Sequence, residues 1–281
     1  MIYILYNPKA GDGKAQEKAQ ELSGFYPDQE LSYLDVTGLT DYRGFFEKLQ
    51  ENDSVVICGG DGTLNHFVND TYSLDITNPV YFYAAGSGND FLRDVQPEAD
   101  GKPAQINCYM KGLPTVTVNG KDYKFINGVG YGIDGYCCQV GDQLRLKGEK
   151  PNYTGIAIKG LLFHYKPTNA VVTVDGARYE YKGAWLAPTM FGRFYGGGMM
   201  PTPQQDRNDP EKAVSVMVMH KSGKLRTLCI FPSIFKGQHV THEALVAIHK
   251  GHDITVEFDR PVALQIDGET ILNVRKYQVR S

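Results

Sequence analysis

The stretch "VVICGGDGTLNHFVND", residues 55 to 70, decides the fold of this chain. Its first part is an apolar run of β-forming residues, and its last part has the spacing of an amphipathic helix, with glycines between them. A buried strand that leads through a glycine turn into a helix is the repeating unit of a parallel α/β sheet. The acidic residue within these glycines, Asp61, is the unusual feature of the stretch.

The same order of strand and helix is repeated on both sides of this stretch. Apolar strands at 2–6, 30–36, 54–58 and 80–86 are followed by helical patterns at 14–25, 41–50, 63–70 and 87–94. This alternation predicts a three-layer α/β domain with a parallel sheet covered on both faces, where ligands bind at the carboxyl ends of the strands.

From about residue 113 the pattern changes to hairpins. Asn-Gly or Asp-Gly pairs interrupt runs of β-forming residues in "VTVNGKDYKF" (116–125), "VVTVDGARYEY" (171–181) and "ALQIDGETIL" (263–272). Helical patterns interrupt this half near 134–146, 152–163 and 224–236. We therefore predict two domains, 1–118 (α/β) and 119–281 (mostly β), with a cleft between them and the last few residues able to pack back on the first.

Composition limits the function classes. The net charge of −3 over 281 residues gives no positive field that would suggest a nucleic-acid partner. The five cysteines lack C-x-x-C spacing and indicate free thiols in a reducing cytoplasm, with Cys137 and Cys138 buried in a helix. Without a basic leader or an apolar run of spanning length, we expect a soluble cytoplasmic protein that is able to contact the inner face of a membrane.

The glycines around Asp61 suggest a phosphate site. Gly59, Gly60 and Gly62 let the backbone approach a bound group, and the N-terminus of the following helix favours an anion. Asp61 would oppose a phosphate, since two like charges about 4 Å apart repel by roughly 4 kcal/mol. A bridging divalent cation removes that repulsion, so Asp61 indicates a metal nucleotide. The alternative is a plain strand-to-helix turn in which aspartate is a turn or capping residue.

Two further loops favour the nucleotide interpretation. "NPKAGDGKA" (7–15) follows the first strand and "GSGND" (86–90) follows the fourth, and neither has Walker P-loop spacing. Three glycine-rich loops at one edge of a sheet are hard to explain as independent turns.

Together these motifs resemble the diacylglycerol kinase catalytic domain family, which includes sphingosine kinases and bacterial lipid kinases. The likeness rests on "NPKAGDGKA", "GGDGTLNHFVND" and "GSGNDFLRD", and it continues through "FINGVGYGIDG" (125–135), "FYGGGMMPTP" (194–203), "FKGQHVTH" (235–242) and "IDGE" (266–269). It implies an N-terminal ATP-binding domain and a C-terminal β-sandwich that holds a lipid substrate. The implied reaction is transfer of the ATP γ-phosphate to a hydroxyl of a lipid such as diacylglycerol.

The resemblance also implies site residues. Asp61, with Asp90, would face Mg²⁺, although Asp90 is equally well explained as a first-turn residue that complements the helix dipole. The residues implied to contact ATP are Asn7, Pro8, Lys9, Ala10, Gly11, Thr37, Gly59, Gly60, Asp61, Gly62, Thr63, Leu64, Asn65, His66, Ser87 and Asn89.

The catalytic base is implied at the "DGE" motif, Asp267 and Glu269. From the residues alone, "LQIDGET" is read as a hairpin turn of the same form as residues 172–178. Only the resemblance favours a base here. Because the transition state of phosphoryl transfer is loose, such a base needs to orient the hydroxyl but does not need to be strongly basic.

One segment departs from the family. At "QQDRNDPEKAVSVMVM" (204–219), bacterial relatives read Asp-Gly-x-Leu-Asp-Val and hold a structural Mg²⁺, whereas here Pro210 and Ser215 intervene. We expect this second site to be lost, with Asp206 and Asp209 as solvated loop carboxylates or a weakened remnant.

Two other features have open interpretations. The histidines at 239, 242, 249 and 252 have no evident third ligand, which disfavours zinc. The aromatic, methionine and glycine residues of "FGRFYGGGMM" (191–200) either border a lipid pocket or pack in the β-sandwich.

The sequence thus favours an ATP- and Mg²⁺-dependent lipid kinase that meets its substrate at a membrane surface. A homodimer is left open, and the acceptor lipid is not specified. Two alternatives remain: a kinase for a soluble acceptor such as NAD⁺ or a sugar phosphate, and an inactive relative that binds lipid or nucleotide.

Overall fold

The protein divides into two compact units, Met1–Leu113 and Pro114–Ser281. The computed structural model describes residues 1–86, 88–98 and 101–281. Each unit has its own sheet, and each sheet follows the period of its sequence.

The first unit is built on a five-stranded sheet in the order β2-β1-β3-β4-β5. Its strands β1 to β4 are parallel, and β5 is antiparallel to β4. The strands are β1 (Ile2–Tyr6), β2 (Leu31–Asp35), β3 (Ser54–Gly59), β4 (Val80–Ala84) and β5 (Ala104–Gln105).

Helices cover both faces of this sheet. They are α1 (Ala15–Glu21), α2 (Tyr42–Phe46), α3 (Asp61–Thr71) and α4 (Asp90–Val95). Ile4 of β1 packs in a cluster with Ala15 and Ala19 of α1. The neighbouring Tyr3 points to the other face, where its ring lies 5.6 Å from Phe45 of α2. The alternation of side chains along a buried strand explains this, and it confirms the predicted three-layer order.

The second unit is built on a ten-stranded antiparallel sheet. Its strands are β6 (Thr115–Val118), β7 (Lys121–Lys124), β8 (Gly128–Tyr131), β9 (Thr168–Val174), β10 (Ala177–Ala184), β11 (Thr189–Met190), β12 (Val214–Met219), β13 (Val246–Gly251), β14 (Asp253–Ile266) and β15 (Glu269–Arg280). The main order is β13-β12-β11-β8-β14-β15-β6-β7, with β9 pairing β10 and β14. The domain boundary expected after residue 118 falls at the end of β6, which pairs with the last residues of β15 inside this unit.

All three predicted hairpins are confirmed. The two turn residues of each hairpin have positive φ, which matches the right-handed twist of the flanking strands. They are Asn119–Gly120, Asp175–Gly176 and Asp267–Gly268.

The helices of the second unit also confirm the sequence patterns. They are α5 (Ile133–Leu146), α6 (Tyr153–Lys159) and α7 (Lys224–Ile230). A π-helical turn, Gly160–His164, extends α6, and a 3₁₀ helix, Phe231–Lys236, extends α7. No helix in the described part of the chain has both the length and the apolar character needed to cross a membrane.

Candidate active site

Three loops meet at the carboxyl ends of β1, β3 and β4. The backbone N–H of Asn7 donates to the carbonyl of Cys58 at 3.2 Å, and that of Ala85 donates to the carbonyl of Gly59 at 2.8 Å. The Asn7 side chain reaches the Thr63 hydroxyl at 3.1 Å. These bonds join loops that are far apart in sequence into one surface.

Close backbone contacts explain two of the glycines. A Cβ on Gly11, which has φ of +59°, would lie 2.1 Å from the carbonyl oxygen of Ala85. A Cβ on Gly86 would lie 2.7 Å from the Cα of Gly60. Any other residue at these two positions would push the loops apart, since real Cβ atoms do not approach so closely.

The N-terminus of α3 opens onto these loops. Its N-cap residue, Gly60, has extended backbone angles and no side chain to accept hydrogen bonds from the first turn. The positive end of an eleven-residue helix therefore faces the glycine loops. Backbone N–H groups in this arrangement suit a phosphate group.

Asp61 is held by a different helix from the one it begins. Its Oδ2 accepts a hydrogen bond from the Asp90 N–H at 2.8 Å, and its Oδ1 accepts one from the Phe91 N–H at 3.1 Å. The carboxylate thus satisfies two N–H groups in the first turn of α4. Aspartate does act as a capping residue here, but for another helix, across two loops.

The loop residues fit a magnesium nucleotide better than a metal alone. The described residues contain no group of three or more His, Cys, Asp or Glu side chains that could hold a metal ion. Mg²⁺ commonly binds to one or two carboxylates together with substrate phosphates. Asp61 and the buried Asp90, both at helix starts, offer such a partial set.

The other residues expected to bind ATP fall into three groups. The Asn7 side chain accepts from the Lys9 N–H at 3.0 Å and folds the 7–11 loop, which also contains Pro8 and Ala10. Gly62 lies with Asp61 in the first turn of α3, and His66 and Asn89 are exposed. Ser87 lies outside the described residues.

Three of the expected ATP contacts have other partners. The Leu64 side chain is 1% exposed in the core, and its N–H donates to the Gly60 carbonyl at 3.1 Å. The Asn65 side chain is buried and accepts from Asn69 at 3.2 Å. The exposed Thr37 hydroxyl donates to Asp35 at 2.7 Å.

In the second unit, Asp267 is fixed between β14 and β15. Its Oδ2 accepts from the Ile126 N–H at 2.6 Å, and its Oδ1 accepts from the N–H groups of Asn127 and Gly128, both at 2.9 Å. The residue is buried, whereas Glu269 is exposed at the start of β15. The two candidate bases therefore differ sharply in how firmly they are held.

Sequence reasoning missed a buried carboxylate, Asp134, in the first turn of α5. Its Oδ2 accepts a hydrogen bond from the Tyr195 hydroxyl at 3.0 Å, and burial raises its pKa to about 6. A Cβ on Gly130 would lie 2.0 Å from Asp134 Oδ2 and 2.5 Å from the Gln265 amide nitrogen. Gln265 in turn accepts from the Gly268 N–H at 2.6 Å, next to Asp267. The sequence feature that could have indicated Asp134 is its position after the three glycines of "GVGYGIDG" (128–135).

The 204–219 segment is held by a neutral amide and a buried guanidinium. The Gln205 side chain accepts from the Ser215 hydroxyl at 2.6 Å and donates to the Ala213 carbonyl at 2.8 Å. Arg207, which is 3% exposed, donates to the Ile126 carbonyl and to the Asn127 side chain, both at 3.0 Å. Arg207 was also missed, since only its burial distinguishes it from a surface arginine.

The acidic side chains of this segment have their own partners. Asp206 accepts from the Asn208 N–H at 2.9 Å, and Asp209 pairs with Lys250 at 2.5 Å. Asp209 is partly covered in this pair, so it is not the fully solvated carboxylate that was expected.

Two of the four histidines and the 191–200 loop also pack within the second unit. The buried His239 donates from Nε2 to the Pro201 carbonyl at 2.8 Å, and His249 stacks on Tyr179 with ring centroids 3.9 Å apart. Phe191, Phe194, Tyr195 and Met199 are buried, as the packing interpretation of that loop expected.

An α/β unit with glycine loops at its strand ends and an antiparallel β unit form a fold like that of diacylglycerol kinases. Residues 1–118 match the diacylglycerol kinase catalytic domain, and residues 127–277 match the YegS C-terminal NAD kinase beta sandwich-like domain. The chain belongs to the diacylglycerol kinase family, a lipid-kinase-like family.

Two relatives agree with this membership, and a solved structure supports the fold. A diacylglycerol kinase of Bacillus subtilis is 25% identical over 284 residues, covering 95% of this chain and 88% of the relative. One of Mycobacterium tuberculosis is 25% identical over 251 residues, covering 85% and 79%. The crystal structure of a diacylglycerol kinase from Bacillus anthracis has a TM-score of 0.63 at 20% identity, covering 100% and 93%, and so supports the fold.

Proposed function

We propose that this protein is an ATP- and Mg²⁺-dependent lipid kinase that phosphorylates a hydroxyl of a lipid such as diacylglycerol. The observation that carries the proposal is the meeting of three glycine loops around Asp61 in a chain of this family. The relatives in Bacillus subtilis and Mycobacterium tuberculosis are diacylglycerol kinases, which supports a lipid acceptor.

The first unit would hold the nucleotide phosphates. Mg–ATP, when bound, supplies the phosphoryl group and neutralises part of the charge that develops during transfer. The 7–11 loop and Gly59 to Thr63 bring backbone N–H groups and the α3 N-terminus to the phosphates. Asp61, kept in place by the N–H groups of α4, would balance the charge of the metal. Positioning of this kind is the main source of catalysis in phosphoryl transfer.

The second unit would orient the acceptor. Asp267 is fixed by three N–H donors and would direct the lipid hydroxyl, whose proton leaves to Asp267 or Glu269. Fixed geometry matters more here than basicity, because the transition state is loose.

A pair of isosteric variants tests the proposal. Asp61→Asn should reduce phosphoryl transfer by about 100-fold or more, because an amide cannot balance Mg²⁺ charge. Asp41→Asn is the matched control, since Asp41 caps α2 by accepting from the Gly44 N–H at 2.8 Å. Asp41→Asn should retain wild-type turnover.

The assay also distinguishes the acceptor. Purified protein is incubated with Mg–ATP and either a total lipid extract or a mixture of NAD⁺ and sugar phosphates, and mass spectrometry detects products that gain one phosphate. Phosphorylated lipid is expected. Product only from the soluble mixture, or full turnover by folded Asp61→Asn, would contradict the proposal.

A further inference from the structure

The helices of the second unit expose an unusual number of large apolar side chains. We call the outward side of the end of α5, of α6 with its π-helical turn, and of α7 with its 3₁₀ extension the helical face. Its exposed residues are Leu146 (88%), Phe163 and Leu225 (73% each), Ile158 and Phe235 (42% each) and Tyr153 (40%). Apolar groups concentrated on one set of surface helices mark an interaction site more often than scattered ones do.

Side-chain contacts join these segments to one another. The Lys224 ammonium donates to the Leu162 carbonyl at 2.7 Å, which ties the start of α7 to the π-helical turn. Phe163 follows Leu162 in the sequence, and Leu225 follows Lys224. At the other end, the Arg145 guanidinium lies 5.8 Å from the centre of the Tyr153 ring and links α5 to α6.

Most of the helical face carries positive charge and no negative charge. The chain contains 32 acidic residues, yet residues 151–174 and 212–242 contain none. These two segments include α6, the π-helical turn, α7 and its 3₁₀ extension. The basic residues there include Lys159, Lys166, Lys224, Arg226 and Lys236.

We propose that the helical face docks on an anionic lipid bilayer. Its apolar side chains enter the headgroup layer, while its lysines and arginine contact anionic headgroups. An exposed apolar surface whose α6 and α7 segments carry basic and no acidic residues complements such a bilayer, whereas a nucleic acid would leave the apolar groups in water. The inference rests on the proposed function, because a kinase for a bilayer lipid must reach its acceptor at that surface.

Vesicle binding tests the surface directly. Wild-type protein should sediment with vesicles of phosphatidylcholine and phosphatidylglycerol, and only weakly with phosphatidylcholine alone. Leu225→Ser removes the three terminal carbons of this side chain from the apolar layer and should weaken binding about tenfold or more. Lys159→Gln should weaken it about fivefold, as expected for one charge near an anionic surface.

Matched controls come from the same unit. Leu272 of β15 is 50% exposed, and Lys121 of β7 is exposed, but neither belongs to the helical face. Leu272→Ser and Lys121→Gln should bind vesicles like the wild type. No vesicle binding by the wild type would overturn the inference, as would equal effects of Leu225→Ser and Leu272→Ser. Loss of binding by Lys159→Gln alone would point to an acidic macromolecule and also overturn it.

Kinase assays separate this inference from the proposed function. With a short-chain diacylglycerol dissolved as monomers, the phosphorylation rate of Leu225→Ser should match that of the wild type. With diacylglycerol in anionic vesicles, the variant should be about tenfold slower. An equal loss on both substrates would refute the docking role. Vesicle binding by a wild type that phosphorylates no lipid would support the helical face and overturn only the proposed function.

Discussion

Replacing Asp267 by asparagine should destabilise the second unit as well as impair transfer. The carboxylate accepts three backbone N–H groups from the segment before and at the start of β8. Asparagine has the same shape and tolerates the φ of +46° at this position, so the backbone itself should not be strained. The variant therefore isolates the hydrogen bonds.

The magnitude follows from what the amide changes. Its oxygen still accepts from Asn127 and Gly128 without the charge, but its NH₂ group faces the Ile126 N–H, which donates at 2.6 Å in the wild type. One bond to a charged acceptor is worth about 1.5–3 kcal/mol, and a buried donor without an acceptor adds to that loss. We expect the free energy of unfolding to fall by about 3 kcal/mol.

The single tryptophan makes the assay specific for this unit. Trp185 is 1% exposed in the second unit, so its fluorescence during urea denaturation reports unfolding there. Asp175→Asn is the matched control, since Asp175 has the same turn position and φ of +48° but is exposed, and it should cost about 1 kcal/mol. Glu269→Gln, at an exposed position, should change stability by less than about 0.5 kcal/mol. If Asp267→Asn proved as stable as the wild type, the three bonds could not be what holds this turn.

Three other predictions concern buried or closely packed groups. Burial raises the Asp134 pKa from the ordinary 3.8 to about 6, so the folded state holds this proton more tightly. The free energy of unfolding should therefore fall as the pH rises from about 4 to about 6. At 1.4 kcal/mol per pKa unit, the loss is about 3 kcal/mol. Asp134→Asn should lack this decline in urea titrations, and parallel pH curves for the two proteins would contradict it. Gly86→Ala should lower the stability of the first unit by about 2 kcal/mol, whereas Gly88→Ala, whose Cβ has room, should not, as measured by thermal circular dichroism. Burial raises the Cys58 pKa to about 12, so a disulfide reagent at pH 8 should modify the exposed Cys108 and Cys229 quickly and Cys58 only after unfolding; rapid labelling of native Cys58 would refute this.

Local signals explain why so much of the fold could be predicted. Helix and strand periods depend on neighbouring residues, and the turns at Asn119, Asp175 and Asp267 are encoded by two residues each. The meeting of the glycine loops was also predictable, because the carboxyl ends of parallel strands share one edge of a sheet.

Contacts between distant residues explain what could not be predicted. Two partners of Asp61 are N–H groups 29 and 30 residues away, and nothing near "GGDG" indicates that its carboxylate caps another helix. Arg207 reaches the Ile126 carbonyl over 81 residues. The roles of such residues depend on burial, which sequence periods do not report for a charged side chain.

The guanidinium of Arg207 gives the second unit a positive charge that is part of the chain itself. A covalently attached cation cannot dissociate, so the 204–213 loop is tied to Ile126 and Asn127 by a group of the chain itself. Under the proposed function, magnesium depletion would limit turnover without removing this contact.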